Sequence, residues 1–184
     1  MSLTTKKIIA IVAAVLCVAA IAVSATVALL TSLAGPVDNT FTIGNVKISL
    51  TETTGASYDL IPGSVIAKDP KVTVEGGSED CWLFIKVSKT EYFDDYLEYA
   101  IADGWTHLGG YDGVYYRSVV KSASGNEYYI LKDNAITVSS GLTEEKMSAL
   151  TAAPKITFNA YAVQRHSIDE PNEAWYEILK EGIE

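Results

Sequence analysis

The residues able to carry chemistry are few. Of the 184 residues two are histidines, His107 and His166, and two are cysteines, Cys17 and Cys81. A zinc centre draws on several His, Cys or acidic ligands at short, defined spacings. Neither a His-Glu-x-x-His stretch nor a cysteine pair at ligand spacing occurs, so no metal site is expected. Cys81 with a histidine and an acid makes a nucleophilic triad on paper, yet no surrounding motif supports it. Because Cys81 opens an apolar run, a buried thiol is its expected state. The acidic pairs Glu79-Asp80, Asp94-Asp95 and Asp169-Glu170 lack the alternating oxygen-ligand spacing of a calcium loop and read as solvated turns, with weak calcium binding left open. Gly109-Gly110-Tyr111-Asp112-Gly113 has no following lysine and no strand–turn–helix setting, so it reads as a turn and not a phosphate cradle. No catalytic residue, metal ligand or cofactor is assigned, and the chain reads as a non-enzyme.

The first thirty residues decide where the rest works. Lys6 and Lys7 precede an apolar run over residues 8–30, broken by Ser24 and Thr26. A short basic region, an apolar core and then small residues make an export signal. The run also reaches the roughly 20 apolar residues that span a bilayer core, so retention as an anchor is the alternative. Thr26-Val27-Ala28 offers small side chains at the two selective positions of a signal peptidase. Cleavage is therefore expected between Ala28 and Leu29, leaving a secreted or surface-held chain. The signal holds two of the 14 basic residues and none of the 23 acids, so the remainder is more acidic than the whole chain's net −9. Such a surface repels phosphate backbones and anionic lipid, which excludes nucleic acid as a partner and leaves membrane contact to an uncleaved signal. Cys17 lies within the signal, so Cys81 has no intramolecular disulfide partner and the exported domain must rely on its core or on neighbouring subunits.

Beyond the signal the patterning is mostly β. Phe41-Thr42-Ile43 and Val46-Lys47-Ile48-Ser49-Leu50 alternate, but in phases that differ by one residue across Gly44-Asn45, which predicts a turn or bulge. Further strands are expected at 65–66, 72–74, 113–120, 127–131, 135–138 and 156–163, with turn chemistry at Ile61-Pro62-Gly63. Residues 81–87 are apolar on both faces and so belong at a sheet's centre. Three helices are expected. Residues 91–102 place Tyr92, Phe93, Tyr96, Leu97, Ala100 and Ile101 on one stripe. Thr143 caps a second over 144–150. A third follows Asp169, carries Pro171 near its start and ends at Gly182. The fold class is an antiparallel β-sandwich with a few short helices, in one domain over 41–184, after a signal (1–28) and an extension (29–40).

The stretch from Thr26 to Thr31, then Asn39-Thr40-Phe41-Thr42-Ile43-Gly44-Asn45-Val46-Lys47-Ile48-Ser49-Leu50, resembles exported Gram-positive proteins related to TasA and camelysin, whose signals are cut by a SipW-type peptidase. Ile61-Pro62-Gly63 followed by Lys68-Asp69-Pro70, the run Ser78 to Val87, Gly113-Val114-Tyr115-Tyr116-Arg117 and Thr157 to Gln164 are similar to segments of the clostridial members. Two features depart from the pattern: the signal ends Ala28-Leu29-Leu30-Thr31-Ser32, and no zinc motif is present to carry camelysin's link to metallopeptidase activity. The resemblance implies a jelly-roll-like domain that polymerises into extracellular biofilm-matrix fibres. It also implies that the freed N-terminal segment, with Leu29, Leu30, Leu33 and Val37, completes a sheet of the next subunit. The alternatives are a surface-displayed module binding carbohydrate or protein, and, further off, a metallopeptidase.

Overall fold

The computed structural model describes residues 39–55, 58–166 and 168–182. They form eleven strands. These are β1 (Asn39–Ile43), β2 (Ile48–Thr51), β3 (Val65–Ala67), β4 (Lys71–Val74), β5 (Cys81–Lys89), β6 (Leu97–Ile101), β7 (Thr106–His107), β8 (Val114–Val119), β9 (Asn126–Tyr129), β10 (Leu131–Val138) and β11 (Ile156–Gln164). Two α-helices accompany them, α1 (Glu144–Ser148) and α2 (Pro171–Lys180). A five-stranded sheet runs β1-β11-β5-β8-β7, and two three-stranded sheets run β3-β10-β6 and β2-β4-β9. The chain is thus mainly β with several antiparallel sheets. One pairing breaks the antiparallel expectation: β1 lies parallel to β11, Asn39 opposite Asn159 and Ile43 opposite Val163.

The double-sided apolar run becomes the middle strand of the large sheet, as its pattern requires. Cys81, Leu83 and Ile85 of β5 face an interior shared with Val72 and Val74 of β4 and Ile136 and Val138 of β10. Trp82 and Phe84 point the other way, where α2 lays Ala174, Trp175 and Ile178 over the sheet. The Trp175 ring sits 5.2 Å from Phe84 and 5.3 Å from Tyr161. One sheet therefore has two dry faces, and that is why β5 cannot alternate.

The phase change across Gly44-Asn45 has the same origin. Phe41 and Ile43 pack toward the α2 side, whereas Val46, Ile48 and Leu50 enter the inner core. Gly44 makes the bend at φ 89°, and a Cβ there would stand 2.7 Å from the Gln164 side chain. Only glycine meets both demands without strain. The Asn45 N–H then donates to Gln164 Oε1 at 3.0 Å, tying the bend to β11.

The helix expected over 91–102 is not formed. Its first turn is a 3-10 segment, Phe93–Asp95, and Leu97–Ile101 is strand β6, paired with β10. Leu97, Tyr99 and Ile101 also satisfy a two-residue period, and pairing to a neighbouring strand overrides the helical reading of so short an aromatic stretch. The helix from Glu144 closes at Ser148, with Thr143 Oγ1 accepting from the Lys146 N–H. The last helix begins at Pro171, one residue beyond its cap Glu170. The stretch 127–131 divides, β9 ending at Tyr129 and β10 beginning at Leu131. Strand β10 also reaches back from 135 to 131 through a bulge, and β7 carries too little pattern to be anticipated.

Candidate functional site

Strand edges are the feature that the topology exposes. β1 pairs with β11 on one side and, among the described residues, with no strand on the other. β6 likewise has β10 on one side and, among the described residues, no strand on the other. Such edges offer rows of main-chain donors and acceptors to an added strand. A crevice of about 460 Å³ lies beside β6, lined by Leu97, Tyr99 and Ile101 of that strand, Glu98 and Asp94 at its rim, and Lys89 and Tyr115 from the large sheet. Lys89 Nζ pairs with Asp94 Oδ2 at 2.5 Å and lies 5.7 Å from the centre of the Tyr99 ring. Burial raises the Tyr99 hydroxyl above its ordinary value, with Lys89 opposing. Leu97 is buried beneath this edge, so the crevice offers Tyr99, Ile101 and Tyr115 among charged side chains, groups that an extended peptide or a sugar can contact.

The residues weighed for catalysis are scattered. His107 is exposed on β7, its ring edge-on to Tyr115 at 5.3 Å. His166 lies just past β11, in an open crevice of about 390 Å³ with Glu79, Asp80, Gln164 and Arg165. There Glu79 pairs with Lys121 Nζ at 2.6 Å, and Asp80 accepts the Lys121 N–H at 2.7 Å. Arg165 donates to Ser118 Oγ at 2.7 Å and lies over the Trp82 ring at 4.7 Å. Cys81 is fully buried, and burial pushes its thiol up to about 12, reinforced by Asp80 and opposed by Arg165. A nucleophilic cysteine needs the opposite setting, electropositive and open. Among the described residues no three His, Cys, Asp or Glu side chains gather in a cluster able to hold a metal.

The processing and assembly residues Ala28, Leu29, Leu30, Leu33 and Val37 lie outside the described residues, as does the apolar run 8–30. Among the described residues no helix is long and apolar enough to cross a membrane.

Sequence reasoning passed over one group, Glu52, Lys68 and Asp69. Lys68 forms a buried ion pair with Glu52. Asp69 accepts the N–H groups of Thr53 and Thr54, both at 2.9 Å, and the Thr53 hydroxyl at 2.5 Å. The signal for Lys68 was its phase, since it follows Ile66 by two residues and so points inward. Comparison with family models, with curated proteins and with solved structures found no match.

Proposed function

We propose that this chain is a secreted, non-catalytic structural subunit of extracellular biofilm-matrix fibres, of the TasA and camelysin type, with a jelly-roll-like domain that assembles by N-terminal strand donation. The observation that carries the reading is the position of β1. It opens the domain at Asn39, on the edge of the five-stranded sheet, and the segment from Leu29 leads directly into it. Leu29, Leu30, Leu33 and Val37 are apolar, in a stretch that Gly35 and Pro36 make irregular, and they precede Phe41 and Ile43, whose side chains face α2. A segment so patterned gains by lying along a strand edge of another copy, where main-chain pairing and leucine burial replace exposure. The second edge of β6, beside the crevice, is the acceptor in this reading.

Processing supplies the free end in this reading. A SipW-type signal peptidase cleaves between Ala28 and Leu29, and the partners thereafter are further copies of the same chain. Edman sequencing of the exported protein is expected to begin Leu29-Leu30-Thr31. An exported form that begins at Met1 would show residues 8–30 to be an anchor instead.

A second reading, a surface-displayed module binding carbohydrate, rests on the two tyrosines, Tyr99 and Tyr115, that line the 460 Å³ crevice beside acidic and basic side chains. Filaments in negative stain favour the first reading. A monomer that binds glycans through this crevice favours the second.

A further inference from the structure

The inward apolar phase of three strands ends in each case on a polar residue. Ile48 and Leu50 are followed in phase by Glu52, Ile66 by Lys68, and Val138 and Ile136, read backwards, by Asn134. The Lys68 and Glu52 side chains keep only 5% and 3% of their surface and form an ion pair. Asn134 is the next cross-strand partner of Lys68. Ala67 pairs with Ala135, and the Lys68 N–H donates to the Asn134 carbonyl oxygen at 2.7 Å. Residues so opposed have Cα atoms about 4.5–5.5 Å apart, so the Lys68 and Asn134 side chains leave neighbouring points of the backbone.

Two observations mark the group as more than a packed ion pair. The Asn134 side-chain Oδ1 is buried without a hydrogen-bond partner, and so is the Tyr58 hydroxyl, whose ring centre lies 5.8 Å from Lys68 Nζ. Asp133 and Asn134 also both adopt positive φ, 55° and 50°, at a shift in the β10–β6 register. Buried charge, an orphaned carbonyl and left-handed backbone each oppose stability. Their convergence on a lysine, a carboxylate and an amide points to a reaction among the three.

We propose that Lys68 and Asn134 join in an intramolecular isopeptide bond, with Glu52 as the proton carrier. Glu52 takes a proton from the Lys68 ammonium and frees its lone pair. Nζ attacks Asn134 Cγ, forming the C–N bond and placing negative charge on Oδ1. Collapse breaks the bond from Cγ to Nδ2: one of the two protons leaving Nζ passes through Glu52 to Nδ2, which departs as ammonia, and the ammonia carries off the second as ammonium. One ammonium side chain and one primary amide become one secondary amide and one ammonium ion, with no change of oxidation state and no co-reactant. Asp69, bonded to the backbone of Thr53 and Thr54, is the positioning residue that holds the segment bearing Glu52 against Lys68. The bond would fasten β3 to β10 in a chain whose described cysteine has no disulfide partner. This inference stands independently of fibre assembly.

The test is the intact mass of the natively purified chain under denaturing conditions, followed by peptide mapping. The expected result is a mass lower by one ammonia, with the peptides of Lys68 and Asn134 recovered as a linked pair. Glu52→Gln and Asn134→Ala are expected to keep the unlinked mass. A wild-type chain of unreduced mass overturns the proposal. So does loss of ammonia confined to an unlinked Asn134 peptide, which marks a succinimide at Asn134-Ala135. Neither result depends on how well a variant folds, because the wild-type chain decides it.

Discussion

Cys81 sits at the start of β5 between β11 and β8, opposite Gln164 on one side and Val119 on the other, with no exposed surface. A thiol pushed to about 12 stays protonated at any ordinary pH. Iodoacetamide near neutral pH is therefore expected to leave the folded chain unlabelled and to alkylate Cys81 once denaturant is added. Rapid labelling of the native chain, read by mass, would contradict the buried assignment. The sign of the pH effect follows. The unfolded thiol ionises near about 8.5 and the folded one does not, so this group's contribution falls away as pH rises above that value. Asp69 acts at the opposite end of the scale. Partial burial pushes its carboxyl up, but hydrogen bonds from Thr53 and Thr54 outweigh this and hold it well below the usual carboxylate range. Its contribution is present above the unfolded value near about 4 and is lost as pH falls below it. Asp69→Ala should thus lower the melting temperature at neutral pH and flatten its acid dependence. A variant with an unchanged acid limb would show that the Thr53–Thr54 bonds do not matter.

Helix α2 covers the outer face of the large sheet through three side chains, Ala174, Trp175 and Ile178. Trp175 is 2% exposed and packs on Phe84, Tyr111 and Tyr161. Trp175→Ala should therefore cost about 3–5 kcal/mol in chemical denaturation, the range for removing a buried aromatic. A loss below about 1 kcal/mol would mean that the sheet's outer face does not need the helix. Elements of this kind were legible wherever one rule governed them. Thr143 announced its cap, Pro171 its helix start, and the double-sided apolar run of β5 its central place. Reading failed where two rules competed. Leu97, Tyr99 and Ile101 fit a strand while Tyr92, Phe93, Tyr96 and Leu97 fit a helix, and only the pairing partner β10, far along the chain, decides between them. The parallel partner of β1 was equally hidden, because alternation in Phe41 to Ile43 gives a facing side but no neighbour. The inward position of Lys68 was encoded by its two-residue step from Ile66, and its charge masked that step.

The proposed fibre needs a domain that folds without the residues before Asn39 yet assembles through them. The described sheets and both hydrophobic clusters are built from residues 39 onward. Leu29, Leu30 and Leu33 would add roughly 1.5–3 kcal/mol each when fully buried on a neighbour, against about 8 kcal/mol for association at micromolar concentration. In the proposed assembly the leucines would supply a large share of the joining energy, and main-chain pairing at about 0.5–1.5 kcal/mol per bond would add to it. Negative-stain microscopy and sedimentation of two purified chains, one beginning at Leu29 and one at Asp38, test this most directly. The account predicts filaments from the first, and from the second a monomer that melts cooperatively. Filaments of the same form from the chain beginning at Asp38 would contradict strand donation, and a chain beginning at Leu29 that stays monomeric would contradict the fibre assignment itself.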